Sequence, residues 1–137
     1  MQKGLVLCAV FMCLAFWSVP AFSAPDMQEG LWEITMITEM PGMPAGMMQP
    51  MKHSSCLTKK DMVPQKKESG CTMSNVKTTG NTVSWHVKCD KGNVVSEGKI
   101  TYAGTKFNGV ITTTTTERGE KMQMKSRMSG KRVGPCK

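Results

Sequence analysis

From Cys71 to the C terminus, short segments of alternating polar and apolar residues are separated by very short turn sequences. Connections of two to four residues can join only antiparallel neighbours, so this part of the chain predicts one hairpin after another. The turn sequences are Gly80-Asn81, Asp90 to Asn93, Ala103 to Thr105, and Glu117 to Gly119.

The whole chain indicates an all-β fold of about seven strands, in which the antiparallel meander forms either a twisted sheet or a small barrel. Thr58 as N-cap, with Asp61 three residues later, predicts one short helix that Pro64 ends. We expect strands at Leu31–Thr38, Lys52–Leu57, Thr72–Thr78, Thr82–Cys89, Val94–Tyr102, Lys106–Thr116 and Lys121–Ser129.

The N-terminal segment has the pattern of a secretory signal peptide. Lys3 precedes an uncharged apolar run from Gly4 to Trp17, and Ala21-Phe22-Ser23 provides small residues where a signal peptidase cuts. We therefore expect a signal peptide at 1–23 and a single β domain at 24–137. Removing 1–23 leaves 114 residues, four cysteines, 12 methionines and a net charge of +7. No later segment is apolar enough to span a membrane.

Four cysteines in an exported chain predict two disulfides. Cys71 and Cys89 lie at the open end of the hairpin around Gly80-Asn81. A three-residue loop would place them directly opposite each other and a two-residue loop would offset them by one residue, and in either case they are near neighbours. This favours Cys71–Cys89 with Cys56–Cys136. The rival pairing is Cys56–Cys71 with Cys89–Cys136.

Several segments occur in an order that resembles the small exported bacterial proteins of domain-of-unknown-function family 3617. The resemblance implies a Gram-negative, periplasmic, single-domain protein, and it implies no activity and no catalytic residues. The segments are Gly30 to Thr35, Met40 to Pro44, Cys56 to Thr58, Gly80 to Trp85, Ile100 to Gly104 and Ser129 to Cys136.

The segment 41–50 contains three prolines and two glycines, which predict a loop, and methionines crowd around it. Thioethers are soft ligands that suit Cu(I), and imidazole accepts copper in either oxidation state. The alternatives are a flexible apolar flap over the sheet and a scavenger of oxidants. The copper hypothesis predicts a Cu(I) site among Met40, Met43, Met47, Met48, Met51 and His53; no other cofactor is expected.

Aromatic residues provide a second hypothesis. In a closed barrel, Trp32, Trp85, Tyr102 and Phe107 would line a cavity that carries a small apolar ligand. The alternative is that these side chains fill the core, because a chain of this length has little spare volume.

The third feature is the basic excess, with 18 Lys and Arg against 10 Asp and Glu. Such patches attract anionic surfaces, so an anionic envelope surface is a candidate partner. Nucleic acid is not expected, because no aromatic stacking motif accompanies the charge. The clusters are Lys59-Lys60 and Lys66-Lys67, and, near the C terminus, Lys121, Lys125, Arg127, Lys131, Arg132 and Lys137.

Catalytic patterns are missing from the sequence. It has no Gly-x-Ser-x-Gly nucleophile motif, and His53 and His86 have no acidic residue beside them. Two disulfides would leave no free thiol in the exported chain. We therefore expect a non-enzymatic binding or envelope-associated protein with no catalytic residues. The alternatives are periplasmic Cu(I) binding through the loop and carriage of an apolar ligand.

Overall fold

The computed structural model describes residues 23–44, 46–62, 69–91 and 93–137. The signal-peptide prediction lies almost wholly outside these residues and stays a prediction. The described residues form seven strands and one 3-10 turn, at Lys59–Met62. The strands are β1 (Gly30–Glu39), β2 (Met51–Leu57), β3 (Cys71–Thr79), β4 (Thr82–Cys89), β5 (Val94–Ala103), β6 (Lys106–Glu117) and β7 (Glu120–Gly134).

All seven strands belong to one antiparallel sheet, in the order β2-β1-β7-β6-β5-β4-β3. The predicted all-β class is confirmed. The meander covers β3 to β7, and the β1–β2 hairpin joins its far side because β1 pairs with β7. β2 and β3 are the two ends of this order, so the sheet is open rather than closed into a barrel.

β7 is longer than the sequence pattern predicts. It does not end at Ser129 but continues to Gly134, which pairs with Leu31 of β1. At its other end, β7 extends beyond β1, because the last β1 pair is Glu39 with Lys125. The β7 residues before Lys125 therefore pair only with β6.

The predicted helix is a single 3-10 turn, at Lys59–Met62. The Thr58 hydroxyl donates a hydrogen bond, whereas the side chain of an N-cap accepts one. The backbone N–H and the hydroxyl of Thr58 both donate to Oδ2 of Asp61, at 2.9 and 2.7 Å, and the Asp61 N–H donates to the Thr58 carbonyl at 2.9 Å. These bonds close one turn, and the two donors of Thr58 lower the pKa of Asp61.

One face of the sheet, which we call the inner face, carries the core. The N-terminal segment covers one end of this core, since Met27 bridges to Gly104 and the Gln28 N–H donates to the Gly104 carbonyl at 2.9 Å. The 3-10 turn packs against the core through Met62. The buried apolar side chains are Met27, Trp32, Ile34, Val83, Trp85, Ile100, Tyr102 and Phe107.

Three glycines of the inner face each lie opposite a large core side chain. A Cβ atom at any of the three would collide with that side chain, so the large group occupies the room that the glycine leaves. Because the glycines leave this room, large side chains can pack closely against the neighbouring strands. They are therefore buried even though only short segments of the chain cover them. The pairs are Trp85 with Gly98, Ile100 with Gly109, and Phe107 with Gly130.

Two disulfides fasten the sheet at its edges. Cys71 pairs with Cys89 across β3 and β4, and Cys56 of β2 is bonded to Cys136 in the C-terminal tail. The hairpin loop has two residues, because Thr79 pairs with Thr82. The two cysteines still lie opposite each other, since a β-bulge between Ser74 and Lys77 shifts the register.

The glycine contacts predict a specific pattern of destabilisation. Gly98→Ala and Gly130→Ala should each lower the free energy of unfolding by about 1–3 kcal/mol, because the added methyl group displaces a buried ring. Gly134→Ala is the control, since no atom lies within 4 Å of its added Cβ, and it should change stability by less than about 0.5 kcal/mol. Urea unfolding with the disulfides intact measures all three. Equal effects at the three positions would contradict this account of the core.

Candidate functional site

A cleft of about 580 Å³ opens where β7 extends beyond β1. One wall is the start of the loop after β1, and the other wall is the β6–β7 hairpin. Met40 and Met43 line the cleft from the loop, and Met122 lines it from β7. Three thioether side chains from two separate elements therefore border one space, which we call the methionine cleft.

The loop has a defined path, which explains how Met40 and Met43 face the same cleft. The Met43 N–H donates to the Met40 carbonyl at 3.3 Å, which closes a tight turn. Gly42 within that turn has φ of +83°, a conformation that glycine adopts without strain. The proline and glycine pattern that predicts the loop therefore also fixes its turns.

The thioethers of the methionine cleft are accessible. Met43 is 51% exposed and Met122 is 60% exposed. Met48 borders an adjoining small cavity together with Met40 and Met43. A soft cation that entered the cleft would therefore meet three thioether side chains, and a fourth lies in the adjoining cavity.

Two carboxylates complete the cleft. Glu117 and Glu120 are direct partners across the β6–β7 hairpin, and both line the cleft. Like charges placed directly opposite each other destabilise a sheet, so this pair favours a cation beside it. Lys121 also borders the cleft and offsets part of that negative charge.

The other residues of the predicted copper site lie elsewhere. Met47 is 69% exposed, and it does not line the methionine cleft. Met51 is 68% exposed and pairs with Met36 across β1 and β2. His53 borders a second cleft, of about 260 Å³, between β2 and the 3-10 turn. Within the described ranges, no group of three His, Cys, Asp or Glu side chains could hold a metal ion.

The four aromatic residues predicted to line a cavity are packed in the core instead. Trp32 is fully buried, and Trp85, Tyr102 and Phe107 are 5%, 3% and 3% exposed. The ring centroid of Phe107 lies 5.5 Å from that of Trp32 and 5.7 Å from that of Tyr102. Tyr102 and Phe107 also border the second cleft, whereas Trp32 and Trp85 do not.

Tyr102 connects the core with the 3-10 turn. Its hydroxyl donates to the Met62 carbonyl at 2.8 Å. Burial raises the pKa of Tyr102 to about 12, and the negative charge of Asp61 adds to the shift. The phenol therefore stays protonated at any physiological pH and serves as a structural hydrogen-bond donor.

Sequence reasoning missed three residues of the methionine cleft, namely Met122, Glu117 and Glu120. The pairing of the two glutamates could be predicted, because they flank the two-residue turn Arg118-Gly119. The position of Met122 could not, since it depends on β1 pairing with β7 rather than only with β2.

The fold and the disulfides define an antiparallel, single-sheet β protein with open clefts on its surface. The chain belongs to the family described as protein of unknown function (DUF3617), whose sequence model matches residues 27–136. No curated protein and no solved structure matches the chain. In the described part of the chain, no helix has the length and apolarity to cross a membrane.

The raised pKa of Tyr102 predicts a change in stability at high pH. The folded-state pKa exceeds the unfolded value of about 10, so this contribution is complete below pH 10 and is lost as the pH rises towards 12. Tyr102 is the only tyrosine, so phenolate absorbance reports it alone. We expect a midpoint near 12 in the folded protein and near 10 in denaturant. A folded-state midpoint near 10 would contradict the burial and bonding described here.

Proposed function

We propose that this protein is a non-enzymatic periplasmic protein that binds Cu(I) in the methionine cleft. The observation that carries the proposal is the convergence of Met40 and Met43 from the loop with Met122 from β7. Thioethers prefer Cu(I) to harder cations, and two or three of them are enough to hold a soft monovalent ion.

Export of the protein would explain why thioethers, and not thiolates, serve as its sulfur ligands. The N-terminal sequence pattern favours a signal peptide, and the disulfides Cys56–Cys136 and Cys71–Cys89 are compatible with an oxidising compartment. There the four cysteines of the domain are already bonded to each other and cannot act as thiolate ligands. Thioethers do not form disulfides, so methionine remains available as a sulfur ligand under these conditions.

The carboxylates give the cleft its electrostatic preference. Neutral thioethers leave the charge of Cu(I) uncompensated, and Glu117 and Glu120 lie beside them. A bound cation would relieve the repulsion between these two glutamates, so binding and local stability are coupled. The protein would then hold the ion reversibly, as a buffer or carrier does, rather than perform chemistry on it.

The test compares two double variants in the exported, disulfide-bonded protein. Met43→Leu with Met122→Leu removes two thioethers of the cleft while keeping apolar volume. Removing a residue that only hydrogen-bonds to a metal ligand lowers metal affinity about 10- to 100-fold. Removing two ligands should therefore weaken Cu(I) binding at least about tenfold. Anaerobic titration against a chromophoric Cu(I) chelator measures the affinity.

The matched control is Met47→Leu with Met51→Leu, which changes two equally exposed methionines outside the cleft. We expect its Cu(I) affinity to stay within about twofold of the parent. Ag(I) should compete with Cu(I), and Zn(II) should not, because thioethers are soft ligands. Equal weakening in both double variants, or Cu(I) affinity no tighter than micromolar in the parent, would refute the proposal.

A further inference from the structure

The sheet separates the ionic side chains from the core almost completely. The core occupies the inner face, and the opposite face, which we call the outer face, carries the residues that alternate with it. By strand register, nine Lys and Arg side chains lie on the outer face against three glutamates, a formal charge of +6. Most of the basic excess in the sequence is therefore concentrated on one side of the sheet.

Two of these lysines face each other in a way that lowers the stability of the sheet. Lys106 of β6 and Lys131 of β7 are direct partners across the strands, and both are exposed. Like charges directly opposite each other destabilise a sheet, and Glu33, the partner of Lys131 on β1, offsets part of this repulsion. An anionic group on the outer face would turn this repulsion into attraction.

A shallow groove runs between two basic rows of the outer face. Lys99 and Arg127 border a cavity of about 370 Å³, and Lys106 and Lys131 border an adjoining one, where Glu33 offsets part of their positive charge. Thr35, Asn108 and Ser129 line both cavities. Hydroxyl, amide and ammonium groups all donate hydrogen bonds, and phosphate oxygens accept them, so the groove suits phosphate groups. Arg127 is partly engaged, because its Nε lies 3.1 Å from Oε1 of Glu39.

The shape of the outer face favours an extended anionic surface. Seven strands about 4.8 Å apart make it about 30 Å wide. The side chains of Trp32, Trp85, Tyr102 and Phe107 are buried on the inner face, so the described outer face offers no Trp, Tyr or Phe ring on which a nucleic-acid base could stack. Ile37, which is 37% exposed, lies beside Arg127 in the register and adds an apolar contact among the charges.

From these observations we infer that the outer face of the sheet docks onto the phosphate headgroups of an anionic lipid membrane. The docking is electrostatic and reversible, and no part of the chain inserts deeply. It does not depend on the methionine cleft, which opens at the far end of the β6–β7 hairpin from Lys106 and Lys131. Binding therefore falls with rising salt, because surface charges are screened over about 10 Å at 0.1 M ionic strength.

The test is flotation of the exported, disulfide-bonded protein with lipid vesicles. One set contains phosphatidylglycerol and phosphatidylcholine in equal parts, and the other contains phosphatidylcholine alone. We expect binding to the first set only. A lysine near an anionic membrane contributes about fivefold to partitioning, so the triple variant Lys99→Gln, Lys106→Gln, Lys131→Gln should bind about a hundredfold more weakly.

The control variant removes three equally exposed lysines that lie off the outer face, with Lys59→Gln, Lys60→Gln and Lys91→Gln. It has the same net charge as the first triple variant, and it should keep binding within about threefold of the parent. The first triple variant removes both the Lys106–Lys131 repulsion and the Lys131–Glu33 attraction, so its melting temperature, measured beside binding, should stay close to that of the parent. Its loss of binding therefore cannot be attributed to unfolding.

Three results would overturn the inference. The first is equal binding to the anionic and the neutral vesicles. The second is equal loss of binding in the two triple variants, which would mean that net charge matters and the outer face does not. The third is binding to a soluble polyanion such as polyphosphate with no flotation on anionic vesicles, which would assign the outer face to a different partner.

Discussion

Large side chains lying over glycines are the contact on which the rest of the molecule depends. A single sheet has no second layer to close its core, so its apolar residues must cover one another on one face. Trp85 over Gly98 and Phe107 over Gly130 achieve this, because each ring uses the volume that a neighbouring Cβ would need. The N-terminal segment and the 3-10 turn cover the remaining end of the core, where Tyr102 donates its hydrogen bond to Met62.

This way of forming the core determines what the other surfaces can do. All four aromatic side chains of the described residues are consumed on the inner face, which leaves the outer face to charged and hydroxyl side chains. Methionine side chains occupy the open end of the sheet, because their flexibility lets them fill irregular space. The β6–β7 hairpin crosses both regions. Its glutamate pair lies in the methionine cleft, and its lysine pair lies on the outer face near the other end.

The sequence could predict the elements of this fold but not the order of its strands. Alternation and turn residues locate all seven strands, because each hairpin is a local feature. Pairing of β1 with β7 is not local, and it moves the first hairpin to the far side of the meander. The bulge between Ser74 and Lys77 contains Asn75, whose φ is +52°, but a single asparagine within a strand does not by itself specify a bulge. Because of the bulge, a two-residue turn still places Cys71 opposite Cys89.

The candidate site could also be predicted only in part, because the sequence reveals its local features and not its long-range contacts. The crowding of methionines around the loop at 41–50 is visible in the sequence, whereas the selection among them is not. Met40 and Met43 line the cleft because the turn at Gly42 and the register of β7 bring them near Met122. Met47 and Met51 have similar sequence surroundings but lie outside the cleft.

Because a strand alternates its side chains between two faces, one hairpin can carry both proposed binding surfaces without their interfering. Met122 and the two glutamates lie on the inner side of the β6–β7 hairpin, whereas Lys131 and Lys106 lie on the outer side. A protein docked through its outer face would therefore leave the inner side of the methionine cleft open to solvent, and Lys121 is the basic residue that borders both surfaces. The two like-charge pairs both reduce the stability of the same two strands, and the disulfides fasten the sheet elsewhere, at β2 and at the β3–β4 edge. The cross-links thus supply stability at the edges, while the hairpin between them carries one like-charge pair beside each proposed binding surface.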